Sequence, residues 1–251
     1  MITFKNVVKS FGERTILKGV DLNIVKGKTT VVLGVSGGGK STIIKHIVGL
    51  LQATSGQIIV DGDDISTGDS KALMRVRRKT GFLFQSGALF DSMNVAENVM
   101  FPLDEHENMT HGEMLKEAER CLELVGMKPR DVMKLHPHEL SGGMRKRVGL
   151  ARTLVTKPKI ILYDEPTSGL DPISSDLITQ MIRHLQAELD VTSVLISHDM
   201  KESFKSGDYM AMLYDGKIVE YGDTEHFMKT ENVYVKQFLD GSAEGPIQFV
   251  E

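Results

Sequence analysis

The chain has one cysteine, Cys121, so no disulfide can form within it. At 251 residues it does not need that support, because a chain of this length buries roughly 70% of its unfolded surface. A single thiol fits a reducing compartment. No run of 18 apolar residues occurs, so the chain does not span a bilayer alone, and a membrane role must come through a partner. Met1 to Phe11 carries Lys5 and Lys9 and lacks the apolar stretch of a signal peptide. Positive charge is not in excess. Thirty Lys and Arg against 34 Asp and Glu leave a net charge of −4, a poor balance for gripping a nucleic-acid backbone. Repeats and low-complexity stretches are missing as well. What remains is ordinary globular usage, 41% hydrophobic and 25% charged, which argues against disorder. The length suits one large domain, or one domain with a lobe.

The first 35 residues read as strands. Ile2–Phe4 and Val7–Val8 are short, and Leu17–Ile24 alternates apolar and polar. Thr29–Val35 is a continuous apolar run, the pattern of a strand buried on both faces. A helix follows from Lys40 to Leu51, then strands at Gln57–Val60 and Thr80–Gln85. Residues 86–140 differ: Val95–Met100 and Gly112–Gly126 are helical, and β patterns are few, so this stretch reads as a helical lobe. Ser141–Val155 and Ser174–Leu189 read as helices, Ile160–Tyr163 and Ser193–Ser197 as buried strands. Asp208–Tyr221 reads as a hairpin about Asp215-Gly216. Strands alternating with helices give an α/β fold with a largely parallel core sheet.

Gly34-Val35-Ser36-Gly37-Gly38-Gly39-Lys40-Ser41 matches the phosphate-loop pattern G-x-x-x-x-G-K-[ST], between an apolar strand and a helix. Glycines let backbone amides turn inward around phosphate oxygens without a Cβ clash. The helix N-terminus adds its positive dipole. Lys40 supplies a compact cation to the β- and γ-phosphates, Ser41 a hydroxyl for Mg²⁺, and Thr42 follows on the first helical turn. A nucleotide such as ATP is the expected ligand.

Ile160–Tyr163 runs into two carboxylates, Asp164 and Glu165. Ligands of open α/β sheets sit at strand C-termini. Strand alternation predicts that the two acids point apart, which suits Asp164 to the metal shell and Glu165 to the attacking water. Further on, Ser141 is a good N-cap, and Gly142 and Gly143 leave the helix amides bare, so one chain carries two anion-ready helix starts.

The order of these motifs resembles that of ABC transporter ATPase subunits. It runs phosphate loop, Gln85, Leu140-Ser141-Gly142-Gly143, Asp164-Glu165, Ser168-Gly169-Leu170-Asp171, then His198, across nearly the whole chain. The resemblance implies an ABC-type P-loop ATPase with a RecA-like core sheet, an N-terminal antiparallel β subdomain and a helical subdomain. It divides the chain into a nucleotide-binding core (1–85 and 155–230), a helical subdomain (86–154) and a tail (231–251). It also implies a head-to-tail homodimer with ATP between each phosphate loop and the other copy's Ser141, Gly142 and Gly143. Phe11 would stack on adenine. Gln85 would touch Mg²⁺ beside Ser41 and Asp164. Asp171 would cross the dimer, and His198 would hold the γ-phosphate and water. Met144 departs from the commoner Gln of the signature.

Within that family, Gln85-Ser86-Gly87-Ala88-Leu89-Phe90 followed by Met93-Asn94-Val95 resembles the Mla branch, the ATPases of MCE-type phospholipid transporters. So do the signature through Arg147 and the tail Gln237–Gly241 with Gly245–Phe249. The implied partners are a membrane permease, a periplasmic MCE-type lipid-binding protein and a small regulatory subunit, with no nucleic acid. The implied place is the cytoplasmic face of the inner membrane, and the implied tail reaches the dimer mate. Another ABC importer or exporter is the alternative. A soluble ATPase acting on DNA or ribosomes fits less well, because no sustained heptads separate the phosphate loop from the signature and there is one cassette. The basic run Arg75 to Lys79 reads as a solvated face, and His136-Pro137-His138 as a loop. Cys121 sits in a helical apolar pattern and reads as inert.

Overall fold

The computed structural model describes Met1 to Gln248. Its contacts separate into two units, Met1–Arg77 with the chain from Thr192 onward, and Arg78–Val191.

In the first unit, β1 (Ile2–Phe11) and β2 (Arg14–Ile24) form an antiparallel hairpin. With β4 (Ser55–Val60) and β5 (Asp63–Asp64) they make a sheet in the order β2-β1-β4-β5. The two short strands expected at Ile2–Phe4 and Val7–Val8 are one strand whose register shifts between Phe4 and Val7 and again between Val7 and Val8. Such irregularities break the period-two pattern, so Phe4 and Val7, three apart, are both buried.

The second layer of this unit centres on β3 (Thr29–Leu33), buried at all five positions. It lies between the parallel strands β8 (Thr192–Ile196) and β9 (Tyr209–Tyr214), and β10 (Lys217–Asp223) closes the β9 hairpin. Coverage on both faces is why β3 and β8 carry no charged residue and are mostly β-branched and aliphatic, with Ser193 the exception. Helix α1 (Lys40–Ile47) buries Ile43, Ile44 and Ile47 and stops four residues short of the expected Leu51. Gly49 follows at φ 63°, and a Cβ there would meet Leu73 Cδ2 at 2.2 Å. Leu73 belongs to α2 (Ser70–Arg78), which pattern reading took for a basic run. Helices α8 (Met200–Ser206), α9 (Thr224–Lys229) and α10 (Val233–Asp240) complete the unit.

Past α10 the chain folds back. The Gln237 carboxamide donates to Ser242 O at 3.2 Å and Ile247 O at 3.1 Å, and accepts from Ile247 N at 2.7 Å. Tyr214 OH donates to Pro246 O at 3.0 Å, and Ile247 is buried. The tail as far as Gln248 therefore rests on its own unit. Phe249, the last residue of the tail motif, lies outside the described residues.

In the second unit, β6 (Thr80–Leu83) pairs in parallel with β7 (Ile160–Asp164), from Thr80 opposite Ile160 to Leu83 opposite Tyr163. Between them come α3 (Val95–His106), α4 (His111–Leu124), α5 (Pro129–Val132), a 3-10 turn at Pro137–Glu139 and α6 (Gly142–Leu154). Helix α7 (Pro172–Leu189) follows β7. Capping boxes start two of these helices, Asn94 with Glu97 and Thr110 with Glu113. Asn98, buried in α3, accepts from Phe90 N at 2.8 Å and donates to Phe90 O, Met93 O and Asn94 O at 3.0 Å each. One amide thus ties down the loop leading into the helix. Among the described residues, no helix is long and apolar enough to cross a membrane.

Cys121 is fully buried on α4, and burial pushes its thiol up to about 11 from 9.0. The thiolate is the reactive form, so at pH 8 the folded chain holds about a hundredfold less of it than an unperturbed thiol. Iodoacetamide is expected to label Cys121 at least about a hundredfold more slowly in the folded chain than in urea. Equal labelling rates, read by mass spectrometry, would contradict the burial.

Candidate nucleotide site

The phosphate loop begins where β3 ends. Gly34 sits at φ 150°, and a Cβ there would lie 2.3 Å from Leu213 O on β9, so only glycine fits. At the other end Gly39 has φ 98°, and a Cβ would meet Ile16 Cγ2 of β2 at 2.8 Å. The loop is therefore wedged between the hairpin and the parallel strands. Gly39 caps α1 with no side-chain hydrogen bond, and its carbonyl accepts from Thr42 N at 3.1 Å, so the helix N-terminus opens at the end of the loop. Lys40 is buried, and its Nζ donates to Gly34 O at 2.9 Å and Val35 O at 3.0 Å, so the ammonium is folded back over the loop. Val35, Ser36, Gly37 and Gly38 form the arch, pinned by Gly38 N donating to Val35 O at 3.1 Å. Ser41 and Thr42 lie on the first turn of α1.

His198 follows β8. Val32 of β3 is opposite Ile196, and Ser197 N donates to Val32 O at 3.2 Å. Gly34 and His198 thus leave the carboxyl ends of neighbouring parallel strands, where α/β folds place ligands. His198 is exposed and borders a cavity of about 570 Å³ with Lys201, Gln237 and Ile247. Phe11, at the end of β1, is 49% exposed, with Lys9 Nζ 4.7 Å from its ring centroid. The ring is thus partly covered by a cation and partly open to solvent, on the hairpin that packs on Gly39.

The remaining candidates lie in the second unit. Strand β7 ends at Asp164, and Glu165 adopts φ 47°. The expectation that strand alternation separates the two acids therefore fails in its reason, because alternation stops at Asp164 and a left-handed turn aims Glu165. Gln85 Nε2 donates to Ser168 Oγ at 3.1 Å and lies 3.4 Å from Glu165 Oε2. Ser141 Oγ accepts from Met144 N at 3.2 Å and caps α6. A Cβ on Gly142 would lie 3.4 Å from Leu170 Cδ2, and one on Gly143 3.8 Å from Ser174 Oγ. Gln85, Glu165, Ser168 and the start of α6 thus gather around the turn Ser168–Asp171.

Asp171 has a local role. Its carboxylate accepts from Ile173 N and Ser174 N at 3.0 Å each and caps α7. Hydrogen bonds from Ser174, side chain first, hold this carboxyl below its usual range. The Asp-Pro pair at 171–172 was the readable signal, an N-cap followed by proline in the first turn. Sequence reasoning also missed Lys146, a buried cation of α6 whose Nζ donates to Ser168 O. A lysine in a polar helical run carries no such signal.

A sequence profile described as ABC transporter matches residues 17–168. The chain is 39% identical over 249 residues to the intermembrane phospholipid transport system ATP-binding protein MlaF of Haemophilus influenzae, covering 99% of this chain and 94% of that protein. It is 42% identical over 250 residues to the probable ribonucleotide transport ATP-binding protein mkl of Mycobacterium leprae, covering 100% of this chain and 72% of the relative. Among solved structures it is similar to a dimeric post-hydrolysis state of an ATP-binding cassette bound to ADP and Pi. The TM-score there is 0.81 at 34% identity, over 89% of this chain and 99% of the other.

Proposed function

Because the chain belongs to the ABC transporter family and is an ATP-hydrolysing, ATP-binding subunit of it, we propose that it drives phospholipid transport between the inner and outer membranes. The observation that carries this cargo is likeness to MlaF along 94% of that protein's length, supported by the Gln85–Phe90 segment and the signature with methionine. The likeness to mkl favours a second reading, a cassette serving another cargo such as ribonucleotides.

The chain would work as a homodimer on the cytoplasmic face of the inner membrane. Within the helical subdomain (86–154), residues 86–140 would meet the permease, residues 1–85 and 155–230 would form the nucleotide-binding core, and 231–251 would form the tail. A periplasmic MCE-type lipid-binding protein would complete the transporter, and a small regulatory subunit would attach to it. The dimeric state of the similar solved cassette supports the pairing.

In the proposed cycle, the amides of Gly34 to Gly39 surround the phosphates, and the Lys40 ammonium leaves its two carbonyls for the β- and γ-oxygens. Phe11 stacks on adenine. Ser141, Gly142 and Gly143 of the second copy close on the γ-phosphate, with Asp171 at the same junction. Glu165 orients the attacking water and takes its proton, and His198 holds the γ-phosphate in line. Ser41, Gln85 and Asp164 offer a hydroxyl, an amide and a carboxylate oxygen, a donor set suited to Mg²⁺ that keeps waters and phosphate oxygens as its other ligands. When bound, Mg²⁺ would neutralise charge on the phosphate oxygens.

The test is purification of the native complex, with its proteins and lipids identified by mass spectrometry. An MCE-domain partner and co-purifying phospholipid are expected. A partner that binds nucleotides, sugars or amino acids in place of the MCE protein would overturn the cargo.

A further inference from the structure

Lysine is almost never fully buried unless it is paired, because taking an ammonium out of water is costly. Lys146 is 5% exposed, one turn into α6 beyond the Ser141-Gly142-Gly143 start. Its neighbours do ordinary work within the lobe. Arg145 donates to Leu140 O at 3.0 Å, and Arg147 reaches Gly126 O at 3.4 Å. Lys146 instead turns inward and donates to the carbonyl of Ser168.

Ser168 is joined through all three of its polar groups. Its N–H donates to Glu165 O at 3.2 Å, its hydroxyl accepts from Gln85 Nε2 at 3.1 Å, and its carbonyl accepts from Lys146. These partners belong to three elements: the turn after β7, the segment after β6, and α6. The next residue, Gly169, is at φ 74°, and Asp171 then caps α7. A shift of α6 along its axis therefore pulls on the Ser168 carbonyl, and through the Ser168 N–H on the backbone of Glu165. Glu165 is already held in a left-handed conformation that non-glycine residues seldom adopt. Small backbone movements there change where its carboxylate points.

We propose that Lys146 is a positioning residue for hydrolysis: its ammonium holds the Ser168 turn so that the signature helix sets the orientation of Glu165. This rests on the assignment of Glu165 as the water-activating base. A charged donor grips a carbonyl more strongly than a neutral one.

The test measures ATPase kinetics and binding of a fluorescent ATP analogue on the full chain in its complex. K146M keeps the length of the side chain and removes the ammonium. It is expected to lower kcat about tenfold or more, with the ATP KM and analogue affinity within about twofold of wild type. K146R restores a charged donor and is expected to return kcat to within about threefold of wild type. If K146M does not fold, K146Q replaces it, with the same expectation. An unchanged kcat, a parallel loss of binding, no recovery in K146R, or failure of both neutral variants to fold would each overturn the proposal. E165Q in the same assay separates the two readings. Wild-type hydrolysis by E165Q would remove the base itself. An inactive E165Q beside a fully active K146M would sink the Lys146 assignment alone.

Discussion

E165Q is expected to bind ATP with near wild-type affinity, to stay locked as a nucleotide-bound dimer, and to lose turnover by about 10²–10⁴-fold. That range is what a general base supplies, about 3 to 5 kcal/mol of barrier at 1.36 kcal/mol per tenfold. The substitution is nearly isosteric, so the left-handed backbone at Glu165 and the Gln85 neighbour are disturbed little. What goes is the capacity to accept a proton. Binding is assigned to the phosphate loop and its partners, on other stretches of the chain, and is expected to be left intact. Single-turnover hydrolysis and sedimentation with ATP read the two halves separately. Unchanged turnover would show that another group activates the water.

The second large effect is expected at Lys40. K40A removes an ammonium that makes two hydrogen bonds to Gly34 O and Val35 O, at 2.9 and 3.0 Å. Charged hydrogen bonds contribute about 1.5–3 kcal/mol each, so two to phosphate oxygens imply an affinity loss of about 10²–10⁴-fold. The fold is expected to survive with a lowered melting temperature, because the loop is held not by the lysine alone but also by Gly38 N donating to Val35 O and by the close packing of Gly34 on Leu213 and of Gly39 on Ile16. Calorimetric titration with ATP, beside a thermal melt, distinguishes lost binding from lost structure. Wild-type affinity in K40A would remove the phosphate-loop role.

How much of this was legible depended on how local each signal is. The phosphate loop is contiguous, and the glycines at its two ends, Gly34 and Gly39, have steric reasons in the fold. Strands β3 and β8 were readable because burial on both faces leaves no charged residue in either and gives each an apolar run of three, Val31–Leu33 and Val194–Ile196. Helix α2 was not, since only Ala72 and Val76 are buried and its arginines dominate the pattern. The short helices α8 and α9 lack the length for a period to emerge. At β1, register shifts hid a single strand behind two fragments. Among the candidate site residues, Glu165 is singled out in the sequence by its place after a strand, but its backbone leaves the strand at φ 47°, which alternation rules cannot supply. Ser168 and Lys146 stand 22 residues apart and are joined only by folding. Nothing in either residue's neighbours announces the other.

The Gln237 clamp bears on how shortened versions of this protein should be interpreted. A chain ending before Ile247 would strand a nearly buried carboxamide, 7% exposed, and uncover the wall of the chamber beside His198. Orphaning such a group costs about 1–3 kcal/mol, enough to slacken α10 and its surroundings. Lower activity after trimming would then report a loosened subunit, and should not be credited to a severed handshake with a neighbour until its melting temperature has been matched.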